Sequence, residues 1–285
     1  MGRRLGGGPE NPRELPLIRA APIVAAILAA SAVSAGTSLE ESLARVDTVA
    51  SEFFDAAIKF DCKESIVWDG GSASYNYIYI RENGKTQDFR SYSGLSARDP
   101  MTPVLPEDNG VPRYLRSAFL WFQIFRQTRW QHHRYSLAGE TTVLERPAFG
   151  IRFEPVPPFR SGVNDWFGTA WFDAETAQLL RVVAHTPDAW ARKLDMEQAL
   201  REAPSLPAYR RVLFDVETIT TEFGVELRGL RLPSNVHVET VEYEVRGSYP
   251  KPSRERTIGQ TWQRYKKYRF FSTDAEEHVA PVPHP

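Results

Sequence analysis

The residue types able to do chemistry in this chain are few and poorly spaced for it. His132 and His133 are the nearest thing to a metal site, but adjacent residues on a strand point to opposite faces, so the two cannot chelate one ion. Gly70-Gly71-Ser72-Ala73-Ser74 lacks the final glycine of a serine-nucleophile elbow and reads as a turn. No His-Glu-x-x-His helix motif occurs. The carboxylate pairs Asp173/Glu175 and Glu217/Glu222 fall at turn or solvent-face positions, and acid–base work needs spatial proximity that sequence spacing does not establish. The expectation is no catalytic residue, no metal ligand and no cofactor. An enzyme whose site is assembled in space around His132, His133 or His185 ranks last among the readings.

Charge and cysteine content narrow the field further. Lys and Arg number 35 against 36 Asp and Glu, a formal net charge of −1, which is not the basic footprint of a nucleic-acid binder. Arg264, Lys266, Lys267 and Arg269 alternate with Tyr265, Tyr268 and Phe270, and the simplest reading is a final strand with a solvated face. Cys62 is the single cysteine, so an intramolecular disulfide is excluded; between Phe60 and Ile66 it reads as a small buried hydrophobe.

Aromatic residues make up 12% of the chain and are concentrated in a few segments. Tyr75, Tyr77 and Tyr79, Trp121, Phe122 and Phe125, Phe149 and Phe153, and Trp166, Trp171 and Phe172 place them in strands and one central helix. They either pack as core or line a cavity for an apolar ligand, and a space of about 300 Å³ or more would suit one. The candidate ligand-binding residues are Phe53, Tyr77, Trp121, Phe125, Phe153 and Trp171.

The elements that must position these side chains begin with a helix. Ser38-Leu39-Glu40-Glu41 is a capping box, and Leu39, Leu43, Val46, Ala50, Phe53 and Ala57 recur on one face over about six turns, with Phe54 and Ile58 widening the stripe. From Glu64 the period changes to that of strands: Ser65–Trp68, Ser74–Arg81 and Lys85–Tyr92, with Asn83-Gly84 as a hairpin turn. Residues 93–112 carry Pro100, Pro103, Pro106 and Pro112 without periodicity and read as a long functional loop. A buried helix is expected over Arg113–Gln127, after which strands resume at Trp130. They run through Gln131–Leu137, Thr141–Leu144, Phe149–Phe153, Trp166–Phe172 and Leu179–His185. A second helix lies within Pro187–Pro204, with Trp190, Leu194, Met196 or Gln198, and Leu200 roughly in phase, and strands follow at Arg211–Phe223, Leu227–Leu232, Val236–Val245 and Thr257–Phe270. Such a run of short strands predicts a mainly β fold with helices (α+β): a curved antiparallel unclosed β-barrel of about 11 strands in meander order, the long N-terminal helix docked on its concave face.

The N-terminus reads as an export signal. Arg3, Arg4, Arg13 and Arg19 precede an uncharged run from Ala20 to Leu39, and Val33-Ser34-Ala35 presents a cleavage site after Ala35. The alternative is an uncleaved inner-membrane anchor at residues 20–39. Cleavage would remove four basic and two acidic residues and leave 31 basic and 34 acidic. The expected organisation is a signal peptide at 1–35, one half-barrel domain at 36–271 and a disordered tail at 272–285.

The segment Phe167-Gly168-Thr169-Ala170-Trp171-Phe172-Asp173-Ala174-Glu175-Thr176-Ala177-Gln178-Leu179-Leu180-Arg181 resembles the G-x-x-W-hydrophobic-D-x-x-T hairpin of outer-membrane lipoprotein carrier and sorting proteins. Gly229-Leu230-Arg231-Leu232-Pro233-Ser234-Asn235-Val236 is similar to a strand start of the same proteins, and an N-terminal helix leading into strands matches their order. The resemblance implies an unclosed β-barrel capped by helices around a hydrophobic cavity, and no enzymatic activity. The function expected is therefore an exported, periplasmic or secreted binding protein for a lipophilic ligand or acyl chain, carried as lipid or as an acylated protein, probing no nucleic acid and working as a monomer. The alternative is an envelope protein–protein interaction module that uses 93–112 and the following helix.

Overall fold

The computed structural model describes residues 38–56, 59–82, 85–92, 121–157, 165–205, 207–249 and 251–271. Helix α1 spans Leu39–Ala56 and starts on the expected capping box: the Glu41 amide donates to Ser38 Oγ (3.1 Å) and the Ser38 amide to Glu41 Oε2 (3.2 Å). Its eighteen described residues make about five turns. Its stripe is buried as the periodicity predicts, with Leu43, Val46, Ala50, Phe53 and Phe54 all in the core. Ala57 and Ile58 lie outside the described residues.

The strand after it starts earlier than Glu64. β1 runs Lys59–Trp68, and Phe60, Cys62, Glu64 and Ile66 alternate inward. A carboxylate on the inward phase hid that alternation from the sequence reading. β2 (Gly71–Glu82) and β3 (Lys85–Tyr92) pair antiparallel around the Asn83-Gly84 position, which itself lies outside the described residues. The segments 1–37, 93–120 and 272–285 are outside them too, so the expected signal, long loop and tail are not described.

Of the helix expected over Arg113–Gln127, residues 113–120 lie outside the described ones. In the rest, α2 covers Trp121–Ile124 and a 3-10 turn follows at Gln127–His132, so the strand expected from Trp130 starts at His133 instead. β4 (His133–Val143) and β5 (Arg146–Pro155) form a hairpin; the break expected at Ala138-Gly139 is a bulge within a continuous strand, with Gly139 at φ +90°. Their turn is Leu144-Glu145, both left-handed, which no asparagine or glycine announces. β6 (Phe167–Asp173), β7 (Leu179–His185), α3 (Pro187–Glu202) and β8 (Arg211–Glu222) follow. Thr186 caps α3 through Ala189 N, but the helix buries Ala189 and Met196, while Leu194 is exposed. The strand expected at Leu227–Leu232 is a small hairpin of β9 (Val225–Leu227) and β10 (Leu230–Leu232), turned at Arg228-Gly229, both with positive φ. β11 (Asn235–Arg246) and β12 (Arg254–Phe270) complete the series.

Ten strands form one antiparallel sheet in the order β3-β2-β1-β12-β11-β8-β7-β6-β5-β4, and β9–β10 stand apart as a two-stranded sheet. The fold is the expected mainly β, unclosed half-barrel with a helix packed on its concave face. It departs from a plain meander in one respect. β1 pairs with β12, so the first and last strands meet inside the sheet and β3 and β4 become its two edges. The concave face, α1 and Trp121–Phe125 share one hydrophobic core, while Met196 of α3 and Ala203 just after it pack on Val216 and Val245 in a separate cluster.

Candidate functional site: the helix-covered concave face

The concave face is built by strand alternation. Inward residues of β5, β6 and β8, among them Phe153, Phe172 and Thr221, face the two helices. Phe53 of α1 stacks on Phe122 of α2, ring centroids 3.9 Å apart and planes at 10°. Phe122 meets Phe223 edge-on at 5.4 Å. Phe125 meets Phe153 at 5.6 Å and Phe172 at 4.9 Å, both edge-on, the geometry that the ring quadrupole favours. Trp121 packs edge-on against Trp166 at 5.2 Å and donates its indole N–H to Thr221 Oγ1 at 2.9 Å.

Of the six candidate residues, five belong to this one core: Phe53, Tyr77, Trp121, Phe125 and Phe153. Trp171 does not. Its neighbours Ala170 and Phe172 face inward, so Trp171 faces the convex side, half-buried against Val143, Ala148 and Leu180.

Few polar contacts hold the helices over the sheet. Arg45 of α1 donates to the backbone carbonyls of Ala174 (2.9 Å) and Glu175 (3.0 Å) in the β6–β7 turn, and its guanidinium lies 5.7 Å from the Phe149 ring centroid. Asp47 accepts from the Gln127 amide (2.8 Å) and faces Arg126 at 3.5 Å, tying α1 to the 3-10 turn. Arg81 of β2 donates to the Phe54 carbonyl. The β6–β7 turn is itself firm. Burial disfavours the charge of Asp173, but the amides of Thr176 and Glu175 and the Arg146 guanidinium outweigh it and hold the carboxyl below the usual range.

The other half of the concave face carries a charge pair that the sequence reading missed. Glu64 of β1 and Arg90 of β3 form a two-bond ion pair, Nε–Oε2 2.6 Å and Nη2–Oε1 3.0 Å, with side-chain exposures of 0% and 5%. Gln263 of β12 donates to the same carboxylate, and Arg90 sits 4.9 Å over the Tyr77 ring. Burial works against the guanidinium's charge, yet the attraction and hydrogen bonds of Glu64 raise its pKa. The available signal was a glutamate at the inward phase of Phe60-x-Cys62-x-Glu64-x-Ile66. Beyond the pair, a cleft of about 200 Å³ lies at the end of the sheet, lined by Trp68, Asp69, Val238, Thr240, Gly259, Gln260 and Thr261. Val238 also belongs to the core, so the cleft reaches its edge.

His132, His133 and His185 do not converge on one site. His132 is half-exposed in the 3-10 turn, and His133 is buried at the start of β4. His185 is buried, with Nδ1 2.9 Å from the Glu217 carbonyl and Nε2 3.4 Å from Lys193 Nζ. Among the described residues no group of three or more His, Cys, Asp or Glu could hold a metal ion. Cys62 is free and buried, and burial pushes its thiol pKa up.

No protein-family model and no curated protein matches the chain. Solved structures do. An outer-membrane lipoprotein-sorting protein domain from Vibrio parahaemolyticus is 10% identical with a TM-score of 0.44, the match covering 84% of this chain and 95% of that one. A DUF1329 family protein from Desulfovibrio piger is 12% identical with a TM-score of 0.39, over 80% and 93%. A LolA superfamily protein from Nitrosomonas europaea is 9% identical with a TM-score of 0.37, over 82% and 93%. At these identities the likeness is one of fold alone.

Proposed function

We propose that the chain is an exported, non-enzymatic carrier that holds a lipophilic group, an acyl chain or lipid, between α1 and the concave sheet. One observation carries this reading: the interior is lined by aromatic rings from α1, α2 and five strands, and α1 is fastened across it by Arg45 and Asp47 rather than by strand pairing. Rings at 3.9–5.6 Å fill the space under the helices in this form. Entry of a chain therefore requires α1 to lift and the Phe53–Phe122 stack to part. Ligand contacts would then replace ring contacts, and the cost of opening would set the affinity. Residues 1–35 would serve as the export signal and 36–271 as the carrier domain.

Titration with a fluorescent fatty acid tests the reading. Trp121 and Trp166 sit in the interior, so uptake there should quench their emission by energy transfer to the probe. A saturable signal that a non-fluorescent fatty acid displaces supports the carrier. A probe that binds without quenching, or does not bind, favours the module that engages other envelope proteins with its exterior.

A further inference from the structure

The basic run near the C-terminus has no part in the carrier site. Tyr265 and Tyr268 both reach the core, at 2% and 9% exposure, because β12 bulges at Lys267, which takes φ +59° where the register with β1 shifts. The bases Arg264, Lys266, Lys267 and Arg269 are all exposed. Antiparallel pairing with β1 adds Lys59 and Lys63 to the same convex face, Lys63 directly opposite Lys266. Six cations thus surround Asp61, which Arg269 Nε engages at 2.9 Å, while the carboxylates Glu239 and Glu255 of the same face stand toward the other end of β12, beside Gln260 and Tyr243. Like charges set directly opposite across a strand pair weaken it; Lys63 donates to Asn76 Oδ1 of β2, while its register partner Lys266 repels it. Along the strand, successive outward side chains stand about 7 Å apart, within a Debye length, and act as one field. This field sits on a chain whose total charge is −1.

Apolar side chains flank the cations. Val67 is 51% exposed, Trp262 40%, Phe89 39% and Phe271 43%. Trp262 and Val67 stand opposite each other at one end of the strip, and Phe271 packs under Lys59 at the other, 5.6 Å from its ammonium. Long basic side chains between exposed aromatics are the pattern of an interfacial surface.

We propose that this convex face of β1 and β12 docks the protein on a membrane surface carrying anionic phospholipid. The shape selects a membrane over an acidic peptide. β1 lies between β2 and β12, and β12 between β1 and β11, so neither strand offers a free edge for strand addition. Its exposed rings Trp262 and Phe271 stand at opposite ends of the strip, so they form no row on which successive bases could stack. The docking surface stands whether or not the interior carries an acyl chain.

Vesicle flotation tests it with the full chain, using phosphatidylcholine vesicles and vesicles containing roughly one-third phosphatidylglycerol. The protein should favour the anionic vesicles and be released by salt. Lys63→Gln, Arg264→Gln and Lys266→Gln together should weaken that binding about a hundredfold, at about tenfold or less per cation. Arg192→Gln, Arg201→Gln and Arg210→Gln, exposed positions on α3 and before β8, should leave it unchanged. All variants share residues 1–37, so the difference reads this face alone. Should the triple variant misfold, Arg264→Gln alone must still lose several-fold. Equal binding by parent and triple variant, equal loss in the α3 set, or preference for polyglutamate or DNA over vesicles would overturn the proposal.

Discussion

Arg45→Met should loosen α1 without unfolding the sheet. Methionine keeps an apolar stem against Phe149 and removes both hydrogen bonds to the Ala174 and Glu175 carbonyls, at 2.9 and 3.0 Å. At a half-exposed site each bond is worth about 1 kcal/mol. Their loss therefore favours the lifted helix by about 2 kcal/mol, close to a thirtyfold rise in its population. Arg45→Ala also loses the stacked stem, a further ~0.5 kcal/mol. Native-state hydrogen exchange reads this directly. Amides within Val46–Phe53 should lose roughly thirtyfold protection, while those of β6 and β11 keep theirs. Fatty-acid uptake should speed up in the same proportion. If α1 and β6 lose protection together, the substitution has destabilised the whole fold. If neither changes, Arg45 does not fasten the helix, and the account of how the interior opens is wrong.

Other outcomes follow from the same geometry. Glu64→Gln should cost about 3–5 kcal/mol in a denaturant melt, because Arg90 is left buried without its counter-charge, whereas Glu64→Leu with Arg90→Met should recover most of that loss. Phe53→Ala should cost about 3–5 kcal/mol and alter fatty-acid binding. Trp171→Ala, on the convex side, should cost about 1 kcal/mol and leave binding unchanged; equal effects on binding would refute the assignment of faces. Burial lowers the His185 pKa below the usual range, the Glu217 carbonyl partly offsets this, and Lys193 lowers it further. The unfolded chain therefore binds the proton more readily. The stability His185 contributes is present above about pH 6.5 and is lost as pH falls through its lowered native value. Melting temperatures of His185→Asn should fall less steeply than the parent's below that pH; parallel curves would refute the assignment.

Much of this architecture is legible in the chain because local period and burial agree. The α1 stripe and its capping box, the Tyr75/Tyr77/Tyr79 alternation and the 167–185 hairpin all follow from side-chain spacing. The failures have physical causes. β1 was cut short because Glu64 occupies an inward position that only a partner from β3 makes tolerable. The Leu144-Glu145 turn takes positive φ without the residues that usually announce it. The meeting of β1 with β12 joins residues about two hundred positions apart, which no local pattern encodes. Within the candidate site, aromatic content was a sound guide to which residues reach the interior. A one-residue shift in phase separated Trp171 from Phe172, and the fastening role of Arg45 depends on backbone carbonyls that carry no side-chain signal.

The central claim, that the concave interior carries a lipophilic group, is tested most directly by native mass spectrometry of the protein isolated from the cells that make it. The account predicts a bound species of lipid mass that organic extraction removes and added fatty acid restores, and that Phe53→Ala alters. A protein that emerges without any such species, and takes up no fatty acid when offered it, would contradict the account.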